Sequence, residues 1–385
     1  MSEKKLKIFV HSASVFLTDY ESHGEGLICF SLLNGLAKMG HKVVAFTPKS
    51  SIKNKSDNLI VFESTGSMPF NSLSPWKYSL EANRLFKRYH KEFKFDFVWR
   101  MNPFGYDCPL LPTLENIPLV IGPMYYRWPE SNARKANSRY GLSLRKWLEP
   151  YGILGWKKTL KKSKLIFCAT KKHADELKNL YNIDYASELP LMVDNIEKER
   201  VSLNNEKIKI IFLANFHKNK RPLVFCEIIN ILKNFGKNVE AKMLGDGPEI
   251  KFVKEYIEEN KLSENIELLG SVDNHLVRSY LVKADYFINT AIGEPYGRSV
   301  IEAMASGCIV LNHNSGGPKD FLENMVTGIL TEEESAESFA NELIKIDADE
   351  EKKLIISQNA LKKSFEWRPE AILQKLESQL KLVLS

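Results

Sequence analysis

Two carboxylates, Glu294 and Glu302, stand with seven residues between them in the stretch GEPYGRSVIEAMASG at 293–307. The apolar run DYFINTA before them reads as a strand, so Glu294 falls in the loop that follows and Glu302 one turn into the next helix. Gly297, Arg298 and Ser299 occupy that helix's first turn. Backbone N–H groups there lack an intrahelical partner, and the helix dipole is positive. The segment thus offers an anion cradle with a hydroxyl-binding carboxylate on each side. A nucleotide diphosphate-sugar presents the matching groups: phosphates in the middle, a ribose at one end and a hexose at the other.

Four further segments carry turn or charge chemistry after an apolar run. In ANFHKNKRPL the cations Lys218, Lys220 and Arg221 precede a helix. A cation at that place can neutralise charge on a leaving diphosphate, with Lys220 the first candidate and Lys218 and Arg221 behind it. A solvated basic loop is the alternative. LGDGPE supplies Gly245 and a helix start, and LNHNSGGPKD supplies the glycine turn 316–317. In DYESHGEG, Gly24 and Gly26 precede a helix, where a phosphate could approach the backbone closely or the glycines could simply make a flexible turn.

These loops need elements to position them. A chain of 385 residues is long for one core and suggests two domains. Short apolar strands alternate with amphipathic helices from KIFVHSAS through KLIFCAT, and the cycle restarts at KIKIIFLAN. That alternation predicts parallel sheets built from β-α-β units, hence an α/β chain of two Rossmann-like domains facing each other across a cleft. A polar stretch without clean periodicity places the hinge within 184–205. Ligands of such sheets bind beyond the carboxyl ends of the strands, where the loops above fall. No run of 18 apolar residues occurs, and the N-terminus reads as a first strand rather than a signal peptide. Five scattered cysteines fit a reducing compartment, so a cytoplasmic protein is expected.

The order GEG, ANFHKNK, LGDGPE, ELLGSV, EPYGRSVIEAMASG and SGGPKD resembles glycosyltransferase family 4, of the GT-B fold. The likeness covers nearly all of the second half and the first half more loosely. It implies an acceptor domain at 1–190, a nucleotide-sugar donor domain at 191–365 and a closing helix at 366–385 that crosses back to the first domain. It implies retaining transfer of a hexose to a saccharide or lipid-linked saccharide, in polysaccharide or glycolipid biosynthesis. Glu294 would contact donor-sugar hydroxyls, Glu302 the ribose, Lys220 the leaving diphosphate, and Gly24 and Gly26 the phosphates. No dedicated protein base, cofactor or metal is implied. The family places an arginine shortly before the lysine, where this chain has Asn215, so Arg221 or Arg298 is expected to substitute. Many members carry a first-domain histidine; GPMYYRWP has none, leaving His11, His23, Tyr125 and Tyr126 as candidates. A nucleotide-sugar 2-epimerase of the same fold and a non-catalytic partner subunit are the alternatives.

Charge adds a partner. Between Arg127 and Lys164 there are eleven Lys/Arg against Glu130 and Glu149, in a chain of net charge +6. The remainder is therefore mildly acidic, which argues for a local anionic surface and against general nucleic-acid binding. Within 142–164, Trp147, Tyr151 and Trp156 interleave with Arg145, Lys146, Lys157, Lys158, Lys161 and Lys162. That is the pattern of a helix lying on an anionic membrane, or of a solvated helix whose tryptophans face the core. Asp347-Ala348-Asp349 matches a metal-binding D-x-D, but its charged surroundings between two helices read as solvated surface. His173, on a helix with no second ligand at metal spacing, reads as structural or exposed.

Overall fold

The computed structural model describes residues 4–21, 24–65, 74–102, 117–123, 155, 157–193, 207–294 and 296–384. His23, Tyr125, Tyr126, Trp147, Tyr151 and Trp156, and residues 194–205 of the expected hinge, lie outside them. The chain forms two compact units, Met1–Met192 with Ile372–Ser385, and Val193–Ala371.

The first unit is built on strands β1 (Lys7–Ser12), β3 (Lys42–Thr47), β5 (Leu59–Glu63), β6 (Phe97–Arg100), β7 (Leu119–Ile121), β8 (Leu165–Cys168) and β9 (Ala186–Glu188). They form a seven-stranded sheet in the order β5-β3-β1-β6-β7-β8-β9, with parallel pairing throughout. β2 (Phe16–Thr18) and β4 (Lys49–Ser51) pair apart from it. The runs are continuously apolar because both faces are covered, as parallel sheets require: Ile8, Phe9 and Val10 of β1 are fully buried. The helix Pro369–Leu382 packs the end of the chain onto this unit. Leu373 fills the space above Gly35, and Glu377 pairs with His41 at 3.1 Å.

The second unit carries β10 (Ile208–Leu213), β11 (Val239–Leu244), β12 (Ile266–Gly270), β13 (Tyr286–Asn289), β14 (Ile309–His313) and β15 (Ile329–Thr331). Their order is β12-β11-β10-β13-β14-β15, again all parallel. Phe212, Phe216 and Phe225 form the aromatic centre of its core, with Phe212 5.3 Å from Phe225 between ring centroids.

One surface expectation changes. Asp347 ends the helix Ala336–Asp347 and accepts from Lys237 at 3.0 Å and from the Tyr286 hydroxyl at 3.2 Å, with Lys353 at 3.7 Å. It ties that helix to the start of β13, the end of the strand opposite the ligand-binding edge. Asp347 is therefore part of a structural ion network, while Ala348 and Asp349 are exposed as expected; sequence spacing could not reveal Tyr286 or Lys237 as partners.

Candidate active site

In the second sheet β10 and β13 are neighbours, and the strands that follow them run outward in opposite directions. This is the topological switch point, and the crevice beyond its carboxyl ends is where such sheets take ligands. Two loops meet there. After β10, Lys218–Lys220 make a single 3-10 turn, and Arg221 caps the helix Pro222–Asn234 in the left-handed region, at φ 51 and ψ 54. After β13, residues 290–297 lead into the helix Arg298–Ala305.

The loops are joined by charge and by backbone. Lys220 Nζ forms an ion pair with Glu294 Oε2. The Ile292 N–H donates to the Asn219 carbonyl at 2.9 Å. The Thr290 hydroxyl lies 2.7 Å from the Lys220 carbonyl and 3.0 Å from that of Arg221. Glu294 is held from behind as well, since the Gly317 N–H donates to its carbonyl at 2.8 Å. Gly316, at φ +73, lies so close that a Cβ would sit 2.6 Å from the same oxygen. A side chain at 316 would push Glu294 off its position.

A second pair stands beside the first. Arg298 Nε donates to Glu302 Oε1 at 2.9 Å, one turn along the helix that Gly297 caps in the left-handed region at φ 87. Ser299 is half-buried in the same first turn. The four side chains are neither sealed nor free: Lys220 is 24% exposed, Glu294 17%, Arg298 21% and Glu302 17%. Groups at that depth are shielded enough to interact strongly, yet a ligand can still reach them.

Other candidates occupy the rim. Asn215 and Lys218 are exposed on the β10 loop. Arg221 turns to the loop after β15, donating to the Glu334 carbonyl at 2.8 Å with the Glu334 carboxylate at 3.8 Å. Gly245 has a packing reason of its own: at φ +130, a Cβ there would meet the Ala214 carbonyl oxygen at 1.9 Å. Its bare backbone lets the β10 and β11 loops touch, and the Phe216 N–H completes the junction by donating to Asp246 at 2.9 Å.

Among the described residues, the candidates Gly24, Gly26 and His11 belong to the other unit. Gly24 opens the helix Gly24–Lys38 and Gly26 lies buried inside its first turn, so both are helical instead of preceding the helix. His11 is fully buried in β1, its ring edge-on to Tyr78 at 6.3 Å. His173 is also buried, on the helix Lys171–Tyr181, where burial and then Lys172 pull its pKa down to about 4.

Sequence reasoning passed over Thr290, Glu334 and the buried Asn289–Asn312 pair, whose amides meet at 2.5 Å across β13 and β14. A polar Asn-Thr step ending an apolar strand was the available signal.

The fold, two parallel-sheet α/β domains, defines a protein of the GT-B class. Residues 193–363 match the family described as glycosyl transferases group 1, and residues 24–188 match glycosyltransferase family 4. The chain belongs to glycosyltransferase family 4. It is 26% identical over 134 residues to the phosphatidylinositol N-acetylglucosaminyltransferase GPI3 subunit of Saccharomyces cerevisiae, over 35% of this chain and 30% of that protein. It is 27% identical over 207 residues to the N-acetyl-alpha-D-glucosaminyl L-malate synthase of Bacillus anthracis, over 53% of each. The chain thus spans about half or less of these relatives' length. Among solved structures, Anabaena HepE in complex with UDP superposes with a TM-score of 0.69 at 15% identity, over 98% of this chain and 99% of that one.

Proposed function

We propose that this chain is a retaining glycosyltransferase that moves a hexose from a nucleotide diphosphate-sugar to a saccharide or lipid-linked saccharide, in the making of a cell-surface polysaccharide or glycolipid. The observation that carries the reading is the double ion pair, Lys220–Glu294 and Arg298–Glu302, flanking a helix N-terminus at the switch point of the second sheet. In this reading the diphosphate lies over the first turn at 297–299, and Lys220 leaves Glu294 to neutralise it. Glu294 then accepts hydroxyls of the donor sugar, and Glu302 accepts those of the ribose. Each charge-assisted hydrogen bond contributes about 1.5–3 kcal/mol. The contribution of Lys220 grows as the phosphate leaves, so it acts on the chemical step. Arg298 takes the place of the family's usual arginine near the phosphates. The leaving diphosphate and the incoming hydroxyl share one face of the sugar, and no resident metal or protein base is invoked. N-acetylglucosamine is the first sugar to try, since both curated relatives above are named for it.

The membrane enters through 142–164. At the described end of this segment Lys158, Lys161, Lys162 and Lys164 are exposed while Leu160 is fully buried, which supports a basic face on a packed helix. Anionic lipid attracts such residues by about 1 kcal/mol each within a Debye length. Among the described residues no helix is long and apolar enough to cross a membrane. Co-sedimentation with anionic but not neutral liposomes is expected; equal pelleting with both removes the membrane from the account.

The function is tested by a thermal-shift screen over UDP-, GDP- and ADP-sugars. A donor at 100 times its Kd stabilises by about 2.7 kcal/mol. The stabilising donor, incubated alone, should yield at most slow hydrolysis, and labelled sugar should pass to an acceptor from a lipid or oligosaccharide extract. A new sugar nucleotide formed from donor alone would make the chain an epimerase. A chain that no sugar nucleotide stabilises would be a partner subunit.

A further inference from the structure

Lys220 sits on a short turn with little of its own to hold it. Only three residues, Lys218–Lys220, form the 3-10 turn, and the loop around them is exposed from Asn215 to Asn219 except for Phe216. The residue after it, Arg221, lies in the left-handed region at φ 51, which non-glycine residues seldom occupy unless their surroundings impose it. Something must fix this turn if the Lys220 ammonium is to meet a phosphate repeatedly at one place.

We infer that Thr290 is the positioning residue for Lys220. Thr290 is 1% exposed and stands immediately beyond β13, at the start of the loop that leads to Glu294. The single O–H reaches the two carbonyls that bracket the left-handed kink, Lys220 at 2.7 Å and Arg221 at 3.0 Å. Because the donor directly follows β13 and the acceptors lie in the β10 loop, this bond fixes the lysine's backbone relative to the loop bearing its carboxylate partner. The Ile292 N–H to the Asn219 carbonyl, 2.9 Å, anchors the turn one residue earlier. Arg221 completes the brace through its 2.8 Å bond to the Glu334 carbonyl. Thr290 touches no reacting group in this scheme and acts only through Lys220. Geometry of this kind matters because small displacements of a positioned charge cost large factors in rate. The inference rests on the proposed role of Lys220 for its kinetic consequence, but not for its structural one.

The test therefore reads both. Thr290→Val keeps the shape and removes the hydroxyl; Thr290→Ser keeps the hydroxyl. In the full chain, hydrogen exchange of the backbone at 216–222 should rise clearly in Thr290→Val and return to wild-type rates in Thr290→Ser, with both variants folded by circular dichroism. With UDP-N-acetylglucosamine as donor, Thr290→Val should lower kcat about tenfold with the donor KM within about twofold, and Thr290→Ser should restore kcat. In a Lys220→Ala background, Thr290→Val should cost nothing more, because its effect runs through the lysine. Unchanged exchange in Thr290→Val, or Thr290→Ser as impaired as Thr290→Val, overturns the inference. So does an equal further loss of kcat in the Lys220→Ala background. If wild-type protein turns over no sugar nucleotide, the proposed function fails, and the exchange data alone decide Thr290.

Discussion

The switch points of the two sheets place different chemistry at equivalent positions. In the second sheet, between β10 and β13, four ionisable side chains stand a fifth or so exposed and neutralise one another in pairs. In the first sheet, between β1 and β6, the polar residues described at the strand ends are sealed: His11 and Ser12 are fully buried and Arg100 is 1% exposed. The tie between those strands is backbone, with the Met101 N–H donating to the Ser12 carbonyl at 2.9 Å. Topology alone therefore does not make a site. In the proposed site the second sheet leaves charges within reach, on an eight-residue helix and a three-residue turn with glycines pressed against backbone.

The largest expected effect tests the second switch point at its cation. Lys220→Ala should lower transfer turnover by about 10²–10³, the range for losing one preorganised electrostatic group, with little change in donor KM. A variant with wild-type turnover would leave that crevice no different in kind from the first. Next, Glu302→Ala should lower turnover by roughly ten- to a few hundred-fold through lost ribose positioning.

The first switch point is sharpened by the opposite outcome. His11→Asn should lower the melting temperature, because it empties space beside Phe9 and Tyr78, with little effect on turnover of the folded fraction. Lost turnover at unchanged melting temperature would move His11 into the site.

A smaller effect separates the units by pH. Burial, first among its causes, lowers the pKa of His41 from 6.5 against the opposing pull of Glu377, with Lys5 and Lys381 adding to the lowering. Burial and Lys172 bring His173 to about 4. His173 stays neutral in the folded first unit down to about 4 and His41 takes up its proton below its ordinary value, while the unfolded chain protonates near 6.5, so stability falls as pH drops below that value. Melting followed by exchange on peptides of each unit should show the first unit losing protection over that window. His173→Gln should flatten the slope; an unchanged slope would show that its burial is not coupled to folding.

The same contrast explains what could be read from the chain itself. Fold class was legible because parallel strands buried on both faces write themselves as apolar runs with helices between them. The Glu294–Glu302 segment was legible because its residues lie together in sequence. Lys220 could be ranked above Lys218 and Arg221 from the loop and then matched to a family lysine, but its partner could not be read. Its pairing with Glu294, 74 residues away, exists because β10 and β13 are sheet neighbours despite two intervening β-α units. Thr290 stayed hidden for a related reason: its partners are carbonyl groups, which no side-chain spacing records. Asp347 misled because a charged run looks the same whether water or Tyr286 and Lys237 receive it.

The central claim, that the carboxylates of the second unit receive a sugar nucleotide, is tested most directly by calorimetric titration of UDP, GDP and ADP into wild type, Glu302→Ala and Glu294→Ala. Ribose is common to all three nucleotides, so the test does not depend on the base. The account predicts that whichever nucleotide binds wild type binds Glu302→Ala at least about tenfold more weakly, a loss of about 1.4 kcal/mol. Glu294→Ala should bind it with near wild-type affinity, because its partner is the absent sugar. Equal affinity of wild type and Glu302→Ala for the bound nucleotide would contradict the account.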